Sequence, residues 1–410
     1  MVAKTHSLGE KSPKSDLSFE NVEHLATVEH APVVLLNEDI SYGRGGIRSV
    51  IESPYIFGVA FLASMGGFSF GYDQGVISIV NIMPQFHKAF PRTETAFGKG
   101  LMTGMLELGA FIGCLFMPTL ADKISRKKAL SIVVVIFNIG AIMQTAANSY
   151  GLLVAGRAIG GIGVGTLAME HAGICNEVTI QNRMQEKRHP GVTGLKLEIL
   201  CWGDLFKKSS WHRTSIAVGV AFFQQLSGIN AFIYYAPTLF QSLGQSTEMS
   251  LIMSGVLNML QLVAVTVCFF IIDKVGRRPL AIWGGIGGGT AWGIMAVLVG
   301  VFNEKWGSNP AAGWAAVAMA FCFILIYGVS YAPLGWALPA EIFPNSSRSK
   351  GVALATATVW LFNFVVGVAT PPMIESIGFG VYIFFGSWCF LAAVWAFFLV
   401  PETNGRHWSR

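Results

Sequence analysis

Charge is scarce in this chain. Only 12% of its 410 residues are Asp, Glu, Lys or Arg, against 53% hydrophobic, and a soluble globular domain carries about 25% charged residues. That deficit excludes an ordinary soluble domain. No G-x-x-x-x-G-K-[ST] stretch is present, so a nucleotide-driven pump has no phosphate loop to use. The six cysteines form no C-x-x-C pair and no zinc spacing, and small packing residues in apolar runs are the simplest account of Cys114, Cys268, Cys322 and Cys389. The N-terminal stretch MVAKTHSLGEKSPKSDLSFE lacks the apolar core of a signal peptide. No nucleophile–base pair, metal cluster or cofactor motif emerges, so the chain is expected to be no enzyme. Short alternating segments of the β-barrel kind are also missing.

What is there is a series of long apolar segments. A helix of about 20 apolar residues crosses the hydrocarbon of a bilayer, and about ten segments qualify: 56–80, 100–120, 129–147, 150–169, 215–239, 251–272, 280–302, 312–333, 351–371 and 380–400. The expected fold class is therefore an all-α polytopic membrane protein with the lipid bilayer as its partner. With the N-terminal tail inside, the outer side holds only Lys88, Arg92, Lys99 and Lys305, and Arg157 lies within a span. Every other Lys and Arg falls on the inner side. This bias follows the positive-inside rule and predicts both termini in the cytoplasm. The net charge of +5 is thus a matter of topology and gives no sign of a nucleic-acid partner.

Asp73 and Arg157 are ionisable residues inside apolar runs. Asp73, in FGYDQGVIS, would cost ~2.5–3.5 kcal/mol at the bilayer centre on insertion scales. Arg157, in GRAIGGIGVG, is the natural partner, because opposite charges a few ångströms apart favour each other's ionised forms while desolvation disfavours them. Neutral amides gather elsewhere at membrane depth. An uncharged polyhydroxylated ligand needs groups that both donate and accept, as amides do. Gln224, Gln225 and Gly228 fall on one i, i+1, i+4 arc. Asn230 lies off it, and joins the others only if the helix breaks near Gly228. The glycine runs GGIGVG and GGIGGG join no strand to a helix, so they are read as close helix packing and not as nucleotide loops.

Two inner loops repeat one another: ADKISRKKAL (121–130) and IDKVGRRPLA (272–281). Together with GYDQGV, GRAIGGIGVG, FFQQLSGINAFIYYAPTLF (222–240), PLGWALPAEIFPNSSRSKG (333–351) and PETNGR (401–406), they resemble the sugar porter family of the major facilitator superfamily, in wording most like fungal hexose transporters. The resemblance covers residues 56–170 and 177–406. It implies a two-half helical bundle that moves a monosaccharide by alternating access, with a proton as co-substrate because Asp73 stands where facilitative relatives are neutral. It assigns proton coupling to Asp73 and Arg157, and sugar contacts to Gln224, Gln225, Asn230, Asn258, Trp336 and Asn363. Tyr234 and Tyr235 would gate the outer side of the cavity. An inner salt-bridge cluster would comprise Asp122, Arg126, Asp273, Arg277, Arg278, Glu341 and Arg348.

The family has twelve spans, whereas after GTLAME this chain turns to HAGICNEVTIQNRMQEKRHPG, with no fifth span, no sixth and no loop between them. The expected organisation is a cytoplasmic tail (1–50), a shortened transmembrane half of four spans (51–170), a cytoplasmic helical linker (171–213), a complete half of six spans (214–400) and a short tail (401–410). The plasma membrane is the expected location. A facilitative uniporter, a non-transporting sugar sensor and a non-functional splice or gene-model product are the alternatives left open.

Overall fold

The computed structural model describes residues 58, 71–124, 126–171, 189–192, 194–302, 305–344 and 347–402. The tail 1–50, most of the first apolar segment and the stretch 172–188 lie outside them. Among the described residues the regular structure is helical, with no strand. Seven of its helical stretches are long and apolar enough to cross a membrane, and Ser131–Thr145 is a shorter apolar one.

The first group of helices is α1 (71–80), α2 (Pro84–Ala89), α3 (Ala96–Ile124), α4 (Arg126–Thr145) and α5 (Tyr150–His171). In lipid there is no hydrophobic drive between helices, so contact depends on close packing. Here small residues supply it. A Cβ on Gly161 would strike the Leu106 carbonyl, and one on Gly109 would strike that of Ala158. The two backbones of α3 and α5 therefore approach along a stripe that only glycine allows, which is the packing role expected of GGIGVG. On its other side α3 lies along α13 (Arg348–Ile377).

The second group runs α7 (Lys208–Leu226), α8 (Ile229–Ser242), α9 (Thr247–Val275), α10 (Arg277–Phe302), α11 (Pro310–Val329), α12 (Tyr331–Ile342), α13 and α14 (Gly380–Leu399). The apolar segment 215–239 is two helices, because Gly228 takes φ 87°, a left-handed conformation costly for any residue with a Cβ. The break frees the Ser227 carbonyl, and the buried indole of Trp292 donates to it at 2.9 Å. Around that indole pack Phe232 (ring centroids 5.0 Å), Phe323 (5.0 Å) and Phe385 (5.3 Å). This aromatic knot ties α8, α10, α11 and α14 together. A second break, at Ser330 between α11 and α12, divides the expected segment 312–333. Helix α7 begins at Lys208, earlier than the apolar segment, because its polar first turns extend the helix beyond the hydrocarbon-compatible run.

Between the groups stands α6 (Gly194–Asp204), within the predicted linker. Its Glu198 pairs with the buried Lys350 of α13, and the Lys350 ammonium lies 5.9 Å from the centroid of the Trp202 ring. At its C-terminus Asp204 accepts from Lys207 at 2.6 Å and pairs with His189 at 2.9 Å. Burial works against the Asp204 charge, but the hydrogen bonds and charges of Lys207 and His189 outweigh it and hold the carboxyl below its usual value.

Candidate sugar and proton site

A cavity of about 470 Å³ opens between α1, α7, α8, α9, α12 and α13, and Gln224, Gln225, Asn230, Asn258, Trp336 and Asn363 all line it. The break at Gly228 makes this possible. It turns the start of α8 so that Asn230 donates its amide to Gln225 Oε1, although the two would diverge on a continuous helix. Gln224 donates to the Tyr331 carbonyl, in the first turn of α12, at 3.0 Å. Its Oε1 is buried with no hydrogen-bond partner among the described residues. Such an acceptor costs about 1–3 kcal/mol unless a donor reaches it. Asn363 is buried. Asn258 is exposed and bonds the Ser254 carbonyl of its own helix at 3.2 Å, and Trp336 is 43% exposed. The cavity is thus tightly built on the α7, α8 and α13 side and open on the α9 and α12 side.

Asp73 and Arg157 meet. Arg157 Nη2 lies 3.5 Å from Asp73 Oδ2, with side chains 4% and 27% exposed respectively. The guanidinium also reaches Gln144 Oε1 and the Thr103 carbonyl, each at 3.5 Å, and its Nε has no partner among the described residues. None of these contacts has the 2.7–2.9 Å length of a strong charge-assisted bond. A buried ion pair held this loosely adds little to stability.

Tyr234 and Tyr235 are fully buried and do not line the cavity. Tyr235 donates to the Gly367 carbonyl at 2.7 Å, and Tyr234 reaches Glu107 at 2.7 Å and Asn363 at 3.0 Å. They join α8 to α3 and α13 as anchors. At the end of the bundle expected to face inward, Arg277 bridges Asp273 (2.9 Å) and Glu341 (2.8 Å). Arg278 instead donates to the Phe397 carbonyl at 2.6 Å, and Arg348 donates to that of Phe343 at 3.4 Å. The expected cluster therefore has Arg277 as its hub, with Arg278 turned toward α14. The side chains of Asp122 and Arg126 lie outside the described residues.

Three participants were missed in the sequence. Gln74 lines the cavity beside Asp73. Glu402, in PETNGR, accepts from the backbone amides of Arg277 (3.1 Å) and Arg278 (3.3 Å), capping α10 where a helix N-terminus favours an anion. Glu107 is wholly buried in the middle of α3. Like Asp73, Glu107 is an acid inside an apolar run, GMLELGAF, and is conspicuous in the sequence for the same reason.

The comparisons agree with this architecture. The family model described as "Sugar (and other) transporter" matches residues 59–183 and 176–409. The H(+)/hexose cotransporter 2 of Parachlorella kessleri is 26% identical over 484 residues, covering 90% of this chain and 89% of its own. The high-affinity glucose transporter of Kluyveromyces lactis is 25% identical over 481 residues, covering 91% of this chain and 87% of its own. Among solved structures, a D-xylose-proton symporter superposes with a TM-score of 0.66 at 24% identity, over 86% of this chain and 99% of that one.

Proposed function

The chain belongs to the sugar transporter family, an integral membrane family, and on that premise we propose that it carries a monosaccharide, most simply a hexose, across the membrane together with a proton. The supporting observation is a cavity of about 470 Å³ lined by neutral amides and a tryptophan, next to a loosely held carboxylate–guanidinium pair. Gln224, Gln225, Asn230 and Asn363 offer the mixed donors and acceptors that sugar hydroxyls require, and Trp336 offers a flat apolar face to the ring. Asp73 takes up a proton when its side of the cavity is open to water. Neutralised, it releases Arg157, and one half of the bundle rocks against the other around the site. Arg277, with Asp273 and Glu341, latches the inner ends of α9, α10 and α12, and must open when the cavity faces inward. The protein works in the plasma membrane with both termini in the cytoplasm. The two relatives named for hexose and glucose support the substrate class, and the word cotransporter in one of them supports proton coupling.

The test is radiolabelled D-glucose uptake in a host lacking its own sugar transporters, in acidic and neutral medium, with surface expression confirmed. Acid-stimulated accumulation against a gradient is expected, and Asp73→Asn is expected to abolish accumulation while leaving downhill exchange. Flux with no pH dependence would make the protein a uniporter.

A further inference from the structure

Glu107 lies outside the coupling scheme above, yet it is the most deeply buried acid described, 0% exposed at the centre of α3. Its contacts form a closed ring. Glu107 Oε1 is 2.7 Å from the Tyr234 hydroxyl, that hydroxyl is 3.0 Å from the Asn363 side-chain oxygen, and the Asn363 nitrogen is 3.0 Å from Glu107 Oε2. Gln74 adds a 2.7 Å contact to Oε1. Each side of the ring is a hydrogen bond in length, and each needs one proton. Tyr234 supplies one and the Asn363 amide supplies one. An ionised Glu107 supplies none, leaving two polar oxygens in contact with no hydrogen between them. Turning the Asn363 amide round does not help, because the deficit only moves to another side of the ring. A protonated Glu107 closes all three.

We propose that Glu107 is a second proton-binding site of the transporter, protonated in this conformation and placed to tie proton occupancy to the sugar cavity. The ring joins α3 to α8 and α13, and Asn363 and Gln74 are at once its members and lining residues of the cavity. On deprotonation the carboxyl proton leaves for cavity water. The carboxylate keeps the donors of Gln74 and Asn363, and the single Tyr234 hydroxyl proton then serves either Glu107 or Asn363, so one side of the ring opens. The charged groups facing Glu107 are Arg157 from α5 and Asp73 from α1, of opposite sign. From α8 the facing titratable group is Tyr234, and α13 contributes the neutral Asn363. Release of Arg157 from Asp73 therefore changes the field at Glu107 directly. The protonation itself does not depend on the symport reading above, whereas its coupling to sugar does.

The experiment uses the full chain, purified, with infrared difference spectra across a pH titration in H₂O and D₂O. Wild type is expected to show the carbonyl stretch of a protonated carboxyl near neutral pH, shifted in D₂O. Glu107→Gln should lose it and Asp73→Asn should keep it. Glutamine can close the same ring by donating to Tyr234 and accepting from Asn363, with the Gln74 amide turned so that its oxygen accepts from the new nitrogen, so this variant is expected to fold and to bind D-glucose, read by tryptophan fluorescence. In the Asp73→Asn background, which leaves Glu107 as the linked site, D-glucose affinity above the titration point should weaken by up to about tenfold per pH unit, the limit for one linked proton, and adding Glu107→Gln should reduce the change to less than about twofold over the same range. A carboxyl band absent from wild type, or unaltered by Glu107→Gln, overturns the proposal. A band lost in Glu107→Gln while wild type shows no proton-coupled uptake leaves the proton site standing and sinks the symport reading instead.

Discussion

Gly335 carries no side chain, yet it sets where Gln224 ends. A Cβ added there would press on the amide carbon and nitrogen of Gln224, the group whose nitrogen holds the Tyr331 carbonyl and whose Oε1 is left without a donor. Gly335→Ala is therefore expected to displace that acceptor and raise KM for D-glucose about tenfold, or about 1.4 kcal/mol, with surface expression unchanged. An unaltered KM in concentration-dependent uptake would remove Gln224 Oε1 from the sugar's partners. At this scale the sequence is informative about residue type and poor about partners. A glutamine pair or an aspartate inside an apolar run is conspicuous because lipid has nothing to offer it. The group around Glu107 gathers residues 74, 107, 234 and 363, with a hydrogen bond between positions 256 apart along the chain, and no local pattern encodes such a meeting.

At the scale of elements, the two helix breaks behave differently. Gly228 announces its break, because a left-handed residue wedged against Phe385 and Trp292 has to be glycine. Gly228→Ala should cost about 1–2 kcal/mol for backbone conformation and about 1–3 kcal/mol for overpacking, seen as a lower unfolding temperature of the purified protein. An unchanged temperature would mean that the aromatic knot relaxes around a methyl group. The break at Ser330 carries a different signal, Pro333, which has no N–H for the Val329 carbonyl one turn earlier. Its geometry is further held by Gln224 donating to the Tyr331 carbonyl and by the Tyr331 hydroxyl reaching the Ala281 carbonyl at 3.0 Å, both tertiary contacts. The junction of α6 and α7 carries a pH prediction. Because Asp204 is held below its usual value in the folded state, its contribution is complete above the unfolded carboxyl pKa of about 3.9 and fades as pH falls through the lowered one. Asp204→Asn should thus lower the unfolding temperature at neutral pH, with the gap to wild type closing in strong acid. A gap that persists there would assign the effect to packing and not to charge.

For the molecule as a whole, the open side of the cavity decides how well it works. The most apolar stretch of α9 is only 17% buried, against 72% for the helical stretch Lys208–Ser242, and the cavity residues on the open side are the exposed Asn258 and Trp336. The family model meets itself in two pieces at residues 176–183, the place where the sequence leaves the family pattern. We read these together as the site of two absent spans, whose loss leaves polar cavity surface facing lipid. Each polar group without a partner there costs free energy, and a bundle that must rock around a closed site works less well with one flank open. On this reading the proposed orientation of everything downstream is unaffected, because removing an even number of spans would keep the inner loops inside. The helical architecture is legible in the apolar runs and motifs, whereas the exposure of α9 and of its cavity residues depends on tertiary packing that no local pattern encodes. Inserting the corresponding two-span segment of a hexose-transporting relative between Met169 and Glu177 should raise the maximal rate of D-glucose uptake by at least about tenfold, the gain expected if closure lowers the barrier by about 1.4 kcal/mol, at matched surface expression. Equal acid-stimulated uptake by the inserted and the 410-residue chains would show that the present helices, with lipid or a neighbouring molecule against α9, already close the site.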